Sequence, residues 1–125
     1  MEATLARELY QEHIIDLFKH PHNFGVLQEA THRHTENNPL CGDEVTMQVV
    51  MKNEKIEDVR FTGHGCAIST ASASLITDKV KGMAKSDVVK MTTGDVLEML
   101  MIPIGPVRLK CALLALETIQ KTVQM

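Results

Sequence analysis

EVTMQVVMKNEKIEDVRFTG, residues 44 to 63, holds two periodic segments on either side of a polar turn. In the first, Val45, Met47, Val49 and Met51 alternate with Glu44, Thr46, Gln48 and Lys52, the period of a half-buried strand. KNEK, residues 52 to 55, reads as the turn. Val59 and Phe61 mark a second strand over residues 55 to 63. The polar THRHTENN, residues 31 to 38, fits an edge strand beside them. After this the period changes. In GHGCAISTASAS, residues 63 to 74, the alternation stops, and Ala67, Ala71 and Leu75, with Ser74 and Val80 nearby, form a helical face of small residues that ends at Lys81-Gly82.

The flanks are helical. Tyr10, Ile14, Leu17 and Phe18 define the apolar face of a first helix, which Pro21 and Gly25 of HPHNFG (20 to 25) terminate. SDVVKM (86 to 91) and GDVLEMLM (94 to 101) read as short helices, each opening near a capping Ser or Thr and an Asp. Pro103, Gly105 and Pro106 form a loop, with Pro106 suited to the first turn of a last helix. That helix carries Ala112, Leu116, Ile119 and Val123 on one face. Helix, strands, then helices is an α+β order, in one domain spanning residues 1–125.

Composition narrows the function classes. Thirteen basic and sixteen acidic residues give a net charge of −3, poor equipment for gripping a phosphate backbone, so no nucleic-acid partner is expected. The apolar run from Cys111 to Leu116 is far too short to span a membrane. Glu2, Glu8, Glu12 and Asp16 make the start unlike a secretory or transit signal, and the expected location is the cytoplasm. Aromatics are few, so aliphatic residues and eight methionines must build the core.

Three cysteines remain, Cys41, Cys66 and Cys111, an odd number without C-x-x-C spacing. This argues against a disulfide framework, a zinc ribbon or a thioredoxin-type motif. All three fall at junctions between elements. Cys41 precedes the strand that begins at Glu44, Cys66 opens the small-residue helix, and Cys111 lies in the first turns of the last helix. A helix start favours the thiolate, the form that binds metals and attacks sulfur. In Cys41-Gly42-Asp43 the glycine frees the backbone for both side chains to face one centre. Three thiolates and a carboxylate make a set that zinc accepts, and a hard oxygen among soft sulfurs makes an iron site labile. His64 lies close enough to line such a site. The His20/His22 and His32/His34 pairs read as surface residues.

NPLCGD, GCAISTASAS and RLKCA, in that order, resemble the three cysteine motifs of the IscU/SufU/NifU-N family of iron–sulfur cluster assembly proteins. HPHNFG is similar to that family's helix-ending turn, and the likeness runs from about Leu9 to Val123. The resemblance implies an α+β fold with a small three-stranded antiparallel sheet packed against several helices, and it implies that Cys41, Asp43, Cys66 and Cys111 form one site. There a 2Fe–2S cluster is built from iron and from sulfur supplied as a persulfide by a pyridoxal-phosphate cysteine desulfurase, then passed to apo iron–sulfur proteins or carriers. Zinc occupies the same ligands when iron is absent. Cys111 and Cys41 are the candidate persulfide acceptors, and the Gly63 to Gly65 loop would let Cys66 move between sulfur acceptance and metal binding. The resemblance leaves homo-oligomer formation open.

Two features separate the branches of the family. Where IscU scaffolds carry a histidine before the third cysteine this chain has Lys110, a SufU-like basic residue that would favour anionic sulfur. In zinc-bound SufU proteins the aspartate is the fourth ligand. The short spacing from Cys66 to Cys111 is IscU-like instead. GPVRLK (105 to 110) only partly matches the segment that IscU offers to its Hsp70 chaperone. The leading expectation is therefore a cluster scaffold, not an enzyme, and the alternative is a zinc-dependent sulfurtransferase. Zinc hydrolase and deaminase motifs are absent.

Overall fold

The chain runs through helix α1 (Glu2–Lys19), strands β1 (His32–Asn38), β2 (Asp43–Lys52) and β3 (Lys55–His64), and helices α2 (Ala67–Val80), α3 (Lys85–Val88), α4 (Thr93–Leu100) and α5 (Pro106–Val123). This computed structural model describes residues 2–125, and side chains from Gln11 onward. The strands form one antiparallel sheet in the order β1-β2-β3, as the alternation over residues 44 to 63 requires. Val45, Met47 and Val49 of β2 and Val59 and Phe61 of β3 are buried on one face. Met47 stands opposite Phe61 and Val49 opposite Val59. Helices α2 and α5 cover that face and pack against each other, while α1 docks on α2.

Local chemistry explains where the elements end. The β2–β3 hairpin turns on Asn53 and Glu54, both left-handed at φ 53° and 63°, the geometry that matches strand twist in a two-residue turn. Helix α4 opens with Thr92 accepting from the Asp95 N–H while the Asp95 carboxylate accepts from the Thr92 N–H, a reciprocal capping box. Asn23, left-handed at φ 57°, closes the HPHNFG turn. Its side-chain amide donates to Thr77 Oγ1 and Asp78 Oδ1 at 3.0 and 2.8 Å, and His22 Nδ1 also meets Asp78 at 2.7 Å, so the turn is clamped to α2.

Several expectations need correction. Gln48 belongs to the polar, outward set of β2, yet it is 2% exposed. The segment after Asn23 crosses the outer face of the sheet. Gly25 and Asn23 bond both backbone groups of Phe61 at one edge, and the Thr31 N–H bonds Val49 O toward the other. Gln48 accepts from the Leu27 N–H at 2.8 Å and donates to Gly25 O at 3.2 Å beneath this strap. Alternation shows which side a residue faces, not what covers that side. A register shift between Val50 and Met51 takes Met51 out of the alternating row and leaves it half-buried.

Ile14 and Leu17 are buried but Phe18 is exposed, because α1 packs chiefly against α2 and needs a narrow apolar stripe. The Tyr10 side chain lies outside the described residues. Helix α2 is not one-faced: Ile68, Ser69, Ala71, Ser72, Ala73, Ser74, Ile76, Thr77 and Val80 are all buried, since α1, α4, α5 and β3 surround it. Its hydroxyls are satisfied at short range or across the helix pair, with Ser72 donating to Ala112 O at 2.6 Å. Helix α3 is a single turn whose cap position is Ala84, with no side-chain cap.

Candidate metal centre

Asp43, Cys66, Cys111 and the turn bearing Cys41 lie at one end of the molecule, where β2 begins, β3 hands over to α2, and α5 completes its first turn. The NPLCGD turn is organised by Asn38. Its backbone carbonyl accepts from the N–H groups of Cys41 and Gly42, its side-chain oxygen from the Leu40 N–H at 3.1 Å, and its amide donates to Cys41 Sγ at 3.0 Å. Gly42 takes φ +74°, the left-handed conformation that sets Cys41 and Asp43 toward the same centre. Asp43, the first residue of β2, is 3% exposed. Its Oδ1 accepts from the Cys66 N–H at 3.1 Å and its Oδ2 lies 3.8 Å from Cys66 Sγ.

Cys66 is the N-cap of α2, with its sulfur accepting from the Ser69 N–H at 3.5 Å. Gly65 makes this approach feasible, because a Cβ there would collide with Ser69 Oγ and reach 3.0 Å from Asp43 Oδ1. Gly63 is not part of a hinge, contrary to expectation. It is paired within β3 opposite Val45, and a Cβ would strike the Glu44 backbone. Close packing, not flexibility, is what both glycines provide.

Cys41 Sγ and Cys111 Sγ are 3.4 Å apart, and ligand atoms of Cys41, Asp43 and Cys111 all lie within 4.8 Å of one another. Among the described residues this is the one such cluster of potential metal ligands. Cys66 stands just outside it, linked through Asp43. In a tetrahedral zinc site, ligand atoms sit about 3.5–3.8 Å apart, so the donor set and its spacing fit that metal.

The three thiols differ in setting. Cys41 and Cys66 are exposed and Cys111 is buried. Burial, then hydrogen bonding with Cys41 and Asp43 and the proximity of Cys66, pushes the Cys111 thiol far above the usual thiol range. Of the two, only Cys66 stands at a helix start, whereas Cys111 is the sixth residue of α5, beyond the turn where the helix dipole acts. Lys110 is exposed and lines a cleft of about 500 Å³ with Asn38, Leu40, Cys41, Pro106 and Val107. Leu40 and Val107, 79% and 81% exposed, rim that cleft on the Cys41 side. His64 turns to Glu44 at 3.7 Å on the surface. His34 is not a plain surface residue: it is half-buried and bonds Glu36 at 2.8 Å. Asn38 and the Leu40/Val107 rim are features the sequence reading did not single out, although Asn38 opens the NPLCGD motif itself.

These features define a small α+β protein with a sulfur-rich, carboxylate-containing candidate metal site at the edge of its core. The model of the NifU-like N terminal domain matches residues 9–125, and the chain belongs to that family. It is 34% identical to the zinc-dependent sulfurtransferase SufU of Bacillus subtilis, over 92% of this chain and 89% of that protein. It is 33% identical to the iron–sulfur cluster assembly scaffold protein IscU of Escherichia coli, over 91% of each. A crystal structure described as an iron–sulfur cluster assembly scaffold protein for the SUF system, from Fervidobacterium islandicum, superposes with a TM-score of 0.79 at 28% identity, covering 94% of this chain and 98% of that one. No helix among the described residues is long and apolar enough to cross a membrane.

Proposed function

We propose that the protein accepts sulfur from a cysteine desulfurase, combines it with iron between Cys41, Asp43, Cys66 and Cys111, and passes a labile 2Fe–2S cluster to apo-proteins. The observation that carries this reading is the convergence of Cys41, Asp43 and Cys111 within 4.8 Å, with Cys66 Sγ 3.8 Å from Asp43. Soft sulfurs retain iron, while the single hard oxygen weakens the set enough for release. Sulfur enters at Cys41, which is exposed and opens onto the Leu40/Val107 cleft, whereas Cys111 is buried behind it. The Cys41 sulfur attacks the outer sulfur of the donor persulfide. The donor thiolate leaves, and the new persulfide is on Cys41.

A second reading has its own support in the likeness to SufU and the basic residue at Lys110. Here the protein relays sulfur without building a cluster, and the same four residues would hold zinc. Bound zinc would keep the thiols deprotonated and sheltered. Asn38 and Gly42 would then orient Cys41, and Asp43 would hold the start of α2 in place.

Anaerobic mixing of metal-free protein with a desulfurase, cysteine and ferrous iron separates the two. Visible absorption of a 2Fe–2S cluster that moves to an added apo-ferredoxin is the expected result. Tight zinc binding and a faster desulfurase without cluster absorption would replace the first reading by the second.

A further inference from the structure

The three thiols are not equivalent neighbours. Cys41 and Cys111 touch at 3.4 Å, while Cys66 is turned to Asp43 and to the Ser69 N–H. The pair also differs in access, one exposed and one buried, and in support. Cys111 is fixed within α5, whereas Cys41 sits on the turn that pivots at the left-handed Gly42. A disulfide places its sulfurs about 2.05 Å apart, so the pair needs to close by little more than about 1 Å, well within reach of a turn.

We propose that, when no metal is bound, Cys41 and Cys111 form a reversible intramolecular disulfide that locks the site against sulfur and metal. The oxidant is a low-molecular-weight disulfide, RSSR. Exposed Cys41 exchanges with it first, giving Cys41–S–S–R and one RSH. Cys111 then attacks the Cys41 sulfur from 3.4 Å, expels the second RSH and closes the ring. The two protein thiols lose two electrons, and RSSR gains them as 2 RSH. Oxidation removes two members of the Cys41–Asp43–Cys111 cluster at once, so metal occupancy and the disulfide exclude each other. The regulatory meaning rests on the functional reading above, but the disulfide itself does not.

The test uses the metal-free full chain and glutathione disulfide, followed by alkylation under denaturing conditions and peptide mass mapping. One alkylated thiol at Cys66, a cross-linked peptide pair joining Cys41 to Cys111, and full reversal by a dithiol reductant are expected. Cys66→Ser should form the same cross-link, and Cys111→Ser should stop at a mixed disulfide on Cys41. Zinc-loaded protein should oxidise at least tenfold more slowly. A stable mixed disulfide in the unaltered chain, a bond involving Cys66, or cross-linked dimers would overturn the proposal. Failure of sulfur loading or cluster assembly would instead count against the functional reading and leave the mapping result untouched.

Discussion

At the scale of single residues, the centre is a buried carboxylate surrounded by sulfur. Asp43 is almost inaccessible yet bonds both the amide and the sulfur side of Cys66, so it orders the site as well as offering an oxygen. Each of Cys41→Ser, Cys66→Ser and Cys111→Ser should abolish cluster formation or sulfur acceptance, because a hydroxyl replaces neither a soft ligand nor a sulfur nucleophile. Asp43→Ala should still assemble a cluster but release it to apo-ferredoxin several-fold more slowly. Stopped-flow transfer at the unaltered rate would sink that idea. Asn38 acts one step removed, through its 3.0 Å bond to Cys41 Sγ. Partners that orient ligands in this way are worth roughly 10–100-fold in metal affinity. Asn38→Ala is therefore expected to weaken zinc by at least about tenfold in a chelator competition, with far-UV circular dichroism unchanged.

At the scale of elements, the hairpin that founds the sheet contains a local conflict. Glu54 is exposed and left-handed at φ 63°, a conformation that costs an ordinary L-residue about 1–2 kcal/mol. Glu54→Gly should raise stability by up to about 1 kcal/mol after glycine's own entropy cost, read as a higher urea midpoint with an unchanged slope. This conflict was visible in KNEK only as a turn, because sequence does not reveal which turn type the strand twist will demand. The strands themselves were legible to within a residue or two, since one buried face imposes a period of two that chance seldom imitates. Gln48 was not legible, because its cover comes from the strap after Asn23, distant in sequence and without periodicity. Cys41, Asp43, Cys66 and Cys111 were legible as residues standing at element ends. Their grouping into a touching pair and a separate thiol was not, for that depends on how α5 lies across β1 and β2.

At the scale of the whole molecule, the last helix is tied to the edge strand by charge as well as by packing. Glu36 on β1 meets Lys121 on α5 at 2.7 Å, with His34 also on the same carboxylate oxygen. The hydrogen bond from Lys121, then that from His34, holds the Glu36 carboxyl below its ordinary 4.5. A lowered folded-state pKa gives stability that is present above about 4.5 and is lost as the pH falls through the folded value. Glu36→Gln should therefore flatten the acid limb of the stability curve below about pH 4.5. An acid limb identical to that of the unaltered protein would contradict this. Most of the core is built by residues other than the cysteines: Leu17, Met47, Ile56, Ile76, Leu100 and Ile119 are fully buried. Zinc added to the metal-free chain should raise the melting temperature with the logarithm of free zinc, and a chelator should reverse the rise while leaving secondary structure intact.

One arrangement couples chemistry to mechanics. The N-cap of α2 is usually the province of a hydroxyl or carboxylate, but here it is the Cys66 sulfur, held 3.5 Å from the Ser69 amide. Whenever that sulfur is committed elsewhere, the opening turn of a helix in contact with α1, α4, α5 and β3 loses one of its anchors. Binding of metal or sulfur at Cys66 should therefore register as faster amide exchange at Ser69, a readout that needs no chromophore.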